Sequence, residues 1–268
     1  MPTTPSASRF IRPLFAGLIL LLASGCASQP AALQPDALQP DACGNVAYGY
    51  YDPAESINRG IFAFNRTLDD YALAPVARGY RRLPGFFQTG VHNFVANFGE
   101  PKVFINDLLQ GNFRRSANTA GRFFINTTAG IVGLIDVSGK LGIERHRSDF
   151  GQTFGVWNIA SGPIVELPLF GTSNLRDATG RVVSFAVSPF GDNSDTVDTL
   201  STLNTVGGMV DGRAESLPLT DELRKRPDYY AALRDTVAQH RSNVVAEGKR
   251  GTAATPTHAC EQGEADGD

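Results

Sequence analysis

From Ser56 to Ala74 the apolar positions fall at Ile57, Ile61, Phe64, Leu68 and Tyr71, in steps of four, three, four and three. That spacing predicts an α-helix with one apolar stripe. Arg59, Arg66 and Asp70 lie on the opposite side, and Asn58, Asn65 and Asp69 make a polar stripe along the flank. The pattern fits a helix packed on a core or one lying in a membrane interface, since both present the same amphipathic profile. A second run, Phe87, Val91, Phe94 and Phe98, is expected to end at Glu100-Pro101, and a third continues from Lys102 through Leu108, Leu109, Phe113, Ala117 and Ala120 to Phe124. A weaker helical run joins Val197, Leu200, Leu203, Val206 and Val210. A final helix follows Pro227 with Tyr230, Leu233, Val237 and Val244 on one face and Arg234 and Arg241 off it. For this last helix Asp228 is the expected N-cap and Gly248 the expected stop. Between Ile125 and Arg181 glycines and prolines recur and periodicity fades, which predicts a functional loop region.

The N-terminus has a different texture. Arg9 and Arg12 precede an apolar run from Leu14 to Ala23 and then small residues, the three parts of an export signal. About ten apolar residues are too few for a hydrocarbon layer that needs about twenty. The run ends Leu22-Ala23-Ser24-Gly25-Cys26, which resembles a bacterial lipobox; Cys26 is then the expected lipid attachment and first mature residue, with residues 1–25 removed. Ala27 after the cysteine, in place of Asp, resembles lipoproteins sent to the outer membrane. Residues 26–47 carry the repeat Ala-Leu-Gln-Pro-Asp and read as a tether, residues 48–250 as the helical domain, and residues 251–268 as a disordered tail.

Composition narrows the chemistry. Of 268 residues, 42% are hydrophobic and 19% charged, with 17 phenylalanines, which points to an apolar partner. The formal charge is −3; losing Arg9 and Arg12 with the signal leaves 22 basic against 27 acidic residues, unsuited to nucleic acid. Cys26, Cys43 and Cys260 form no CxxC pair, and His92, His146, His240 and His258 do not fall at metal-site spacings, so neither a metal nor a cofactor is expected. Cys43 and Cys260 bracket the domain and are either a disulfide or two free thiols. Gly133 to Leu141 departs from a phosphate loop, with five residues between its glycines and a leucine after Lys140. No serine-hydrolase elbow occurs. Asp52-Pro53 and Asp107 read as turn and capping elements, and the basic clusters at Arg78, Arg81 and Arg82, at Arg114 and Arg115, and at Arg145 and Arg147 as solvated faces or headgroup contacts.

The run Asp52-Pro53-Ala54-Glu55-Ser56-Ile57-Asn58-Arg59 with Phe62, Phe64-Asn65 and Leu68-Asp69 resembles the start of the MlaA/VacJ lipoprotein family. So do Asn97 with Glu100-Pro101, Asn106-Asp107-Leu108-Leu109-Gln110-Gly111, Arg122-Phe123 with Asn126, Phe150-Gly151-Gln152-Thr153 with Trp157, Gly162-Pro163, Leu167-Pro168, Arg176-Asp177 and the last helix around Tyr230 to Arg241, in order across about residues 48 to 245. The resemblance implies an all-α, ring-shaped bundle of amphipathic helices with a polar central channel, embedded in the inner leaflet of the outer membrane beside a trimeric porin. It implies a protein without catalysis that passes outer-leaflet phospholipids to a periplasmic lipid-carrier protein. On that expectation Asn58, Asn65 and Asp69 edge the channel and Ile57, Ile61, Phe64 and Leu68 face the membrane. A gating loop is expected at about Asp136 to Pro163, with Asp136, Gly139, Gly151, Gly162 and Pro163. The competing expectation is a lipid-anchored soluble module that binds a porin or the cell wall without moving lipid.

Overall fold

The computed structural model describes residues 51–187 and 195–251. The expected signal, Cys26, the tether, Cys43 and Cys260, and the tail from residue 252 lie outside the described residues. The elements are α1 (Glu55–Leu68), a π-turn (Asp69–Leu73), α2 (Ala74–Tyr80), α3 (Gly85–Leu109), α4 (Phe113–Thr128), the short α5 (Val137–Lys140) and α6 (Phe150–Val156). A hairpin, β1 (Ile164–Leu167) and β2 (Gly171–Asn174), leads into α7 (Leu175–Ala186), and α8 (Asp195–Leu223) and α9 (Tyr229–Arg250) complete the fold. Among the described residues the regular structure is helical apart from that hairpin, whose antiparallel register pairs Ile164 with Asn174 and Leu167 with Gly171.

Several boundaries differ from the sequence expectation for identifiable reasons. The helix expected to end at Glu100-Pro101 runs on to Leu109, with Pro101 inside it. An internal proline removes one backbone bond and costs about 3 kcal/mol. Packing of α3 along α4 and α8 offsets it, and the chain turns instead at Gly111, whose φ of +74° suits glycine. Asp228 caps α9 by accepting from the Ala231 amide, as its sequence position indicates. The stop, however, is Gly251 in the left-handed conformation, not Gly248. A Cβ on Gly248 would sit 2.9 Å from the Gln152 amide nitrogen, so that glycine serves close packing. The region expected to be irregular also contains α6 and the hairpin. Four-residue strands are too short for alternation to show.

Burial runs opposite to that of a water-soluble domain. Among the described residues, twenty-one polar or charged residues are buried against eight hydrophobic ones, and Ala74, Ala77, Ala214 and Leu217 make the small apolar cluster between α2 and α8. Large apolar side chains point outward instead, among them Tyr71, Phe86, Phe113, Phe124 and Phe185. A polar interior holds only if its groups find partners, because an unpaired buried polar group costs about 1–3 kcal/mol.

Candidate functional site: an amphiphilic cavity behind an apolar skin

The faces of α1 show this inversion residue by residue. Ile57, Phe64 and Leu68 are exposed and Ile61 is half-buried, whereas Asn58 is buried. The Asn58 amide donates to Asp52 at 2.7 Å and to the Ile164 carbonyl, and its oxygen accepts from the Glu166 amide at 3.0 Å. Asn58 therefore ties α1 to β1. Two turns later Asn65 repeats the device, donating to Glu166 and to the Leu167 carbonyl, both at 2.9 Å, and accepting from the Leu169 amide at 2.8 Å. That last bond steadies Leu169 at φ +69°, a conformation costly for a non-glycine residue.

Asn65 and Asp69 line an open cavity of about 340 Å³ between α1, the π-turn, the hairpin, α8 and the start of α9. Asn58 does not line it. One wall is charged: Arg213 grips both oxygens of Asp69, at 2.6 and 2.8 Å, and Arg224 reaches Asp69 at 2.9 Å and also binds Asp70. Ser216 and Thr220, one and two turns along α8, accept from the same Arg213 guanidinium or line the wall beside it. Phe62, Leu73, Phe170 and Leu233 supply apolar wall. Glu166 closes one side; burial pushes its carboxyl above the ordinary value, although Thr172 and Asn65 donate to it. Burial lowers the Arg224 guanidinium, but its bond to Asp70 outweighs that and holds it above the ordinary value. Arg213, Arg224, Glu166 and Thr172 did not stand out in sequence. The signal that bears on them is a set of ionisable residues, Asp211, Arg213 and Glu215, inside the otherwise small and apolar stretch from Val206 to Leu217.

The stretch from Asp136 to Pro163 is anchored at many points. Arg122, almost wholly buried, joins Glu100 at 3.2 Å, Asp136 at 3.0 Å and the Ile143 carbonyl. Asp136 also caps α5 through the Gly139 amide. Gly151 packs where α6 crosses α7, so closely that a Cβ on Gly180 would lie 2.4 Å from the Gly151 nitrogen. Gly162, at φ +68°, and Pro163 lead into β1, and the Pro163 carbonyl accepts from Leu175. Asp107 is no surface cap: it is fully buried, accepting from Thr119 at 2.9 Å and lying 2.8 Å from His146. Arg115 likewise is buried, not solvated, and burial lowers its pKa. His92, Asp211 and Glu215 meet across α3 and α8, a grouping that spacing in sequence does not show, with the imidazole Nδ1 2.8 Å from Asp211 and 3.2 Å from Glu215. Tyr80 donates to Asp211 and Arg147 pairs with Glu215, so these carboxylates are already engaged. Among the described residues no helix is long and apolar enough to cross a membrane.

A helical body with a polar interior, an apolar exterior and an amphiphilic cavity is the class these features define. The chain belongs to the MlaA lipoprotein family, whose model matches residues 50–244. It is 33% identical over 212 residues to the intermembrane phospholipid transport system lipoprotein MlaA of Escherichia coli K12, covering 75% of this chain and 80% of that one. An uncharacterized protein of Rickettsia felis is 37% identical over 198 residues, covering 73% and 78%. A chain solved in work on the structural basis for maintenance of bacterial outer membrane lipid asymmetry superposes with a TM-score of 0.63 at 33% identity, covering 72% of this chain and 98% of that one.

Proposed function

We propose that this protein is the lipoprotein of an intermembrane phospholipid transport system. It takes phospholipids from the outer leaflet of the outer membrane through the cavity between α1, the hairpin, α8 and α9 and delivers them to a periplasmic carrier, keeping the two leaflets unlike. In this reading Cys26 carries the lipid anchor, the body sits in the inner leaflet beside a trimeric porin, and no catalytic step is involved. The observation that carries the reading is the inverted burial: buried polar residues outnumber buried apolar ones while large apolar side chains face outward.

Physically, a headgroup leaving water for hydrocarbon loses hydrogen bonds worth several kcal/mol unless a polar wall replaces them. Asn65, Asp69, Arg213 and Arg224 offer such a wall, and Phe62, Leu73, Phe170 and Leu233 offer acyl chains an apolar one. A volume of about 340 Å³ lies at the lower end of the range of roughly 300–1,000 Å³ for small-molecule sites, suited to a headgroup with part of its chains. Asp136, Asp149 and Gly162, at or within the expected gating stretch, each line a separate cavity, of about 40, 140 and 360 Å³ in turn, and we include that stretch as a flank of the passage.

The test is complementation. Deleting the gene should make phospholipid accumulate in the outer leaflet, and the wild-type chain should restore it. A Ser216→Trp chain, which fills the cavity, should be exported and folded yet fail to restore it. Full restoration by that variant removes the cavity from the path, and an unaltered leaflet composition after deletion removes the transport reading. Seating in the leaflet is tested separately: Cys26→Ala protein should stay on membranes, and adding Ile61→Asp with Phe64→Asp should release it.

A further inference from the structure

The corner between α2 and α3 is the most exposed apolar feature joined to uncompensated charge. Every residue from Arg81 to Phe87 is exposed, and Phe86 is 80% exposed. Leu83, Phe86 and Phe87 form its apolar tip. Arg81 and Arg82 stand at its base with no ion-pair partner among the described residues, whereas Arg78, one turn earlier, pairs with Asp221 at 3.3 Å.

The corner is also rigid. The Arg82 and Leu83 amides bond back to Gly79 and Tyr80, and the Phe87 amide to Pro84, all at 3.0 Å. Gln88 adds two more bonds, donating to the Arg81 carbonyl at 3.2 Å and to the Leu83 carbonyl at 2.7 Å. Tyr80 ties this turn to Asp211 on α8. The backbone groups satisfied in this way carry no penalty when the tip leaves water. Pro84 at φ −54° fixes the entry into α3.

We propose that this corner is a headgroup-level anchor for anionic phospholipid: Leu83, Phe86 and Phe87 enter the acyl boundary while Arg81 and Arg82 bind the acidic headgroups around them. The proposal rests on the membrane seating given above and adds the lipid charge class and the residues that read it. Charge complementarity selects the occupant, because two unpaired guanidinium groups at the base of an apolar tip match a negatively charged lipid surface.

The test uses full mature chain with Cys26→Ala and measures co-sedimentation with vesicles of phosphatidylcholine alone and of phosphatidylcholine with one quarter phosphatidylglycerol. Each basic residue at such a surface is worth about fivefold in partitioning, so the wild type should favour the anionic vesicles by roughly 25-fold at low salt. Arg81→Gln with Arg82→Gln should abolish that preference and leave binding to neutral vesicles unchanged, while Arg78→Gln should keep it. Phe86→Ser with Phe87→Ser should weaken binding to both vesicles, with circular dichroism unchanged. Equal binding of wild type to both vesicles overturns the anchor and leaves membrane seating intact; binding to neither overturns both. Loss of porin-trimer capture by the arginine variant with its vesicle preference unchanged assigns the corner to a protein contact and overturns the proposal.

Discussion

Arg213 and Asp69, 144 residues apart in the chain, meet in a two-pronged ion pair at 2.6 and 2.8 Å that joins α8 to the π-turn after α1. Both side chains are largely withdrawn from water, so each depends on the other for the hydrogen bonds it lost. Removing one partner leaves a desolvated charge, which in fully buried pairs costs about 3–5 kcal/mol. Because Arg224 also reaches Asp69, Arg213→Met should cost somewhat less, about 2–3 kcal/mol, with Asp69→Asn similar. The double variant should cost less than the sum of the two. A double-mutant cycle by urea denaturation in detergent checks this, and additive effects would deny the coupling.

Glu166 makes stability depend on pH with a definite sign. Its folded pKa is raised above 4.5 by burial, so the folded state binds the proton more tightly than the unfolded one. Stability from this group is therefore gained as pH falls from neutral through the raised value toward 4.5, and lost as pH rises through that window. Glu166→Gln should remove this share. Wild type should become more stable relative to the variant at pH 5 than at pH 7, read from urea midpoints; a difference that shrinks or reverses on acidification contradicts the burial effect.

Two glycines should respond in opposite directions. Gly180 meets the Gly151 backbone where α6 crosses α7, so Gly180→Ala must push the helices apart and should cost more than about 2 kcal/mol. Gly60 lies exposed in α1 with nothing within 4 Å of its would-be Cβ. Gly60→Ala should stabilise by about 0.5–1 kcal/mol through helix propensity. Thermal melts of the two variants give the comparison.

Asn58 is placed to couple α1 to β1 through two hydrogen bonds, with a third to Asp52, at a buried position. Asn58→Ala should strand the Glu166 amide, while Asp52 keeps its bond from Tyr230, and cost about 2–3 kcal/mol. Faster amide exchange across Ile164 to Leu167, with α9 unchanged, is the expected signature; uniform exchange would place the loss elsewhere.

The helices were legible because spacing of three and four survives in α1, α3, α4 and α9. Which face turns inward was not, since an amphipathic pattern has no sign: the stripe of Ile57, Phe64 and Leu68 would be core in water and is exposed here. Pro101 and Gly248 misled for a shared reason, as both were read by local rule while tertiary packing decided their roles. The cavity wall needed partners far apart in sequence, Asp69 with Arg213 and Asn65 with Glu166, and local pattern holds no record of such meetings. Asn65 and Asp69 were visible from sequence as a polar flank, while Arg213 and Arg224 were not.

The polar interior has a calorimetric consequence. Exposing apolar surface raises heat capacity on unfolding and exposing polar surface lowers it. A chain that buries, among its described residues, twenty-one polar or charged side chains against eight hydrophobic ones, and whose greasy exterior is covered by amphiphile throughout, should show an unusually small heat-capacity increment. Its curve of stability against temperature is then broad and shallow, lacking the marked cold-side weakening that oil-cored domains inherit from water.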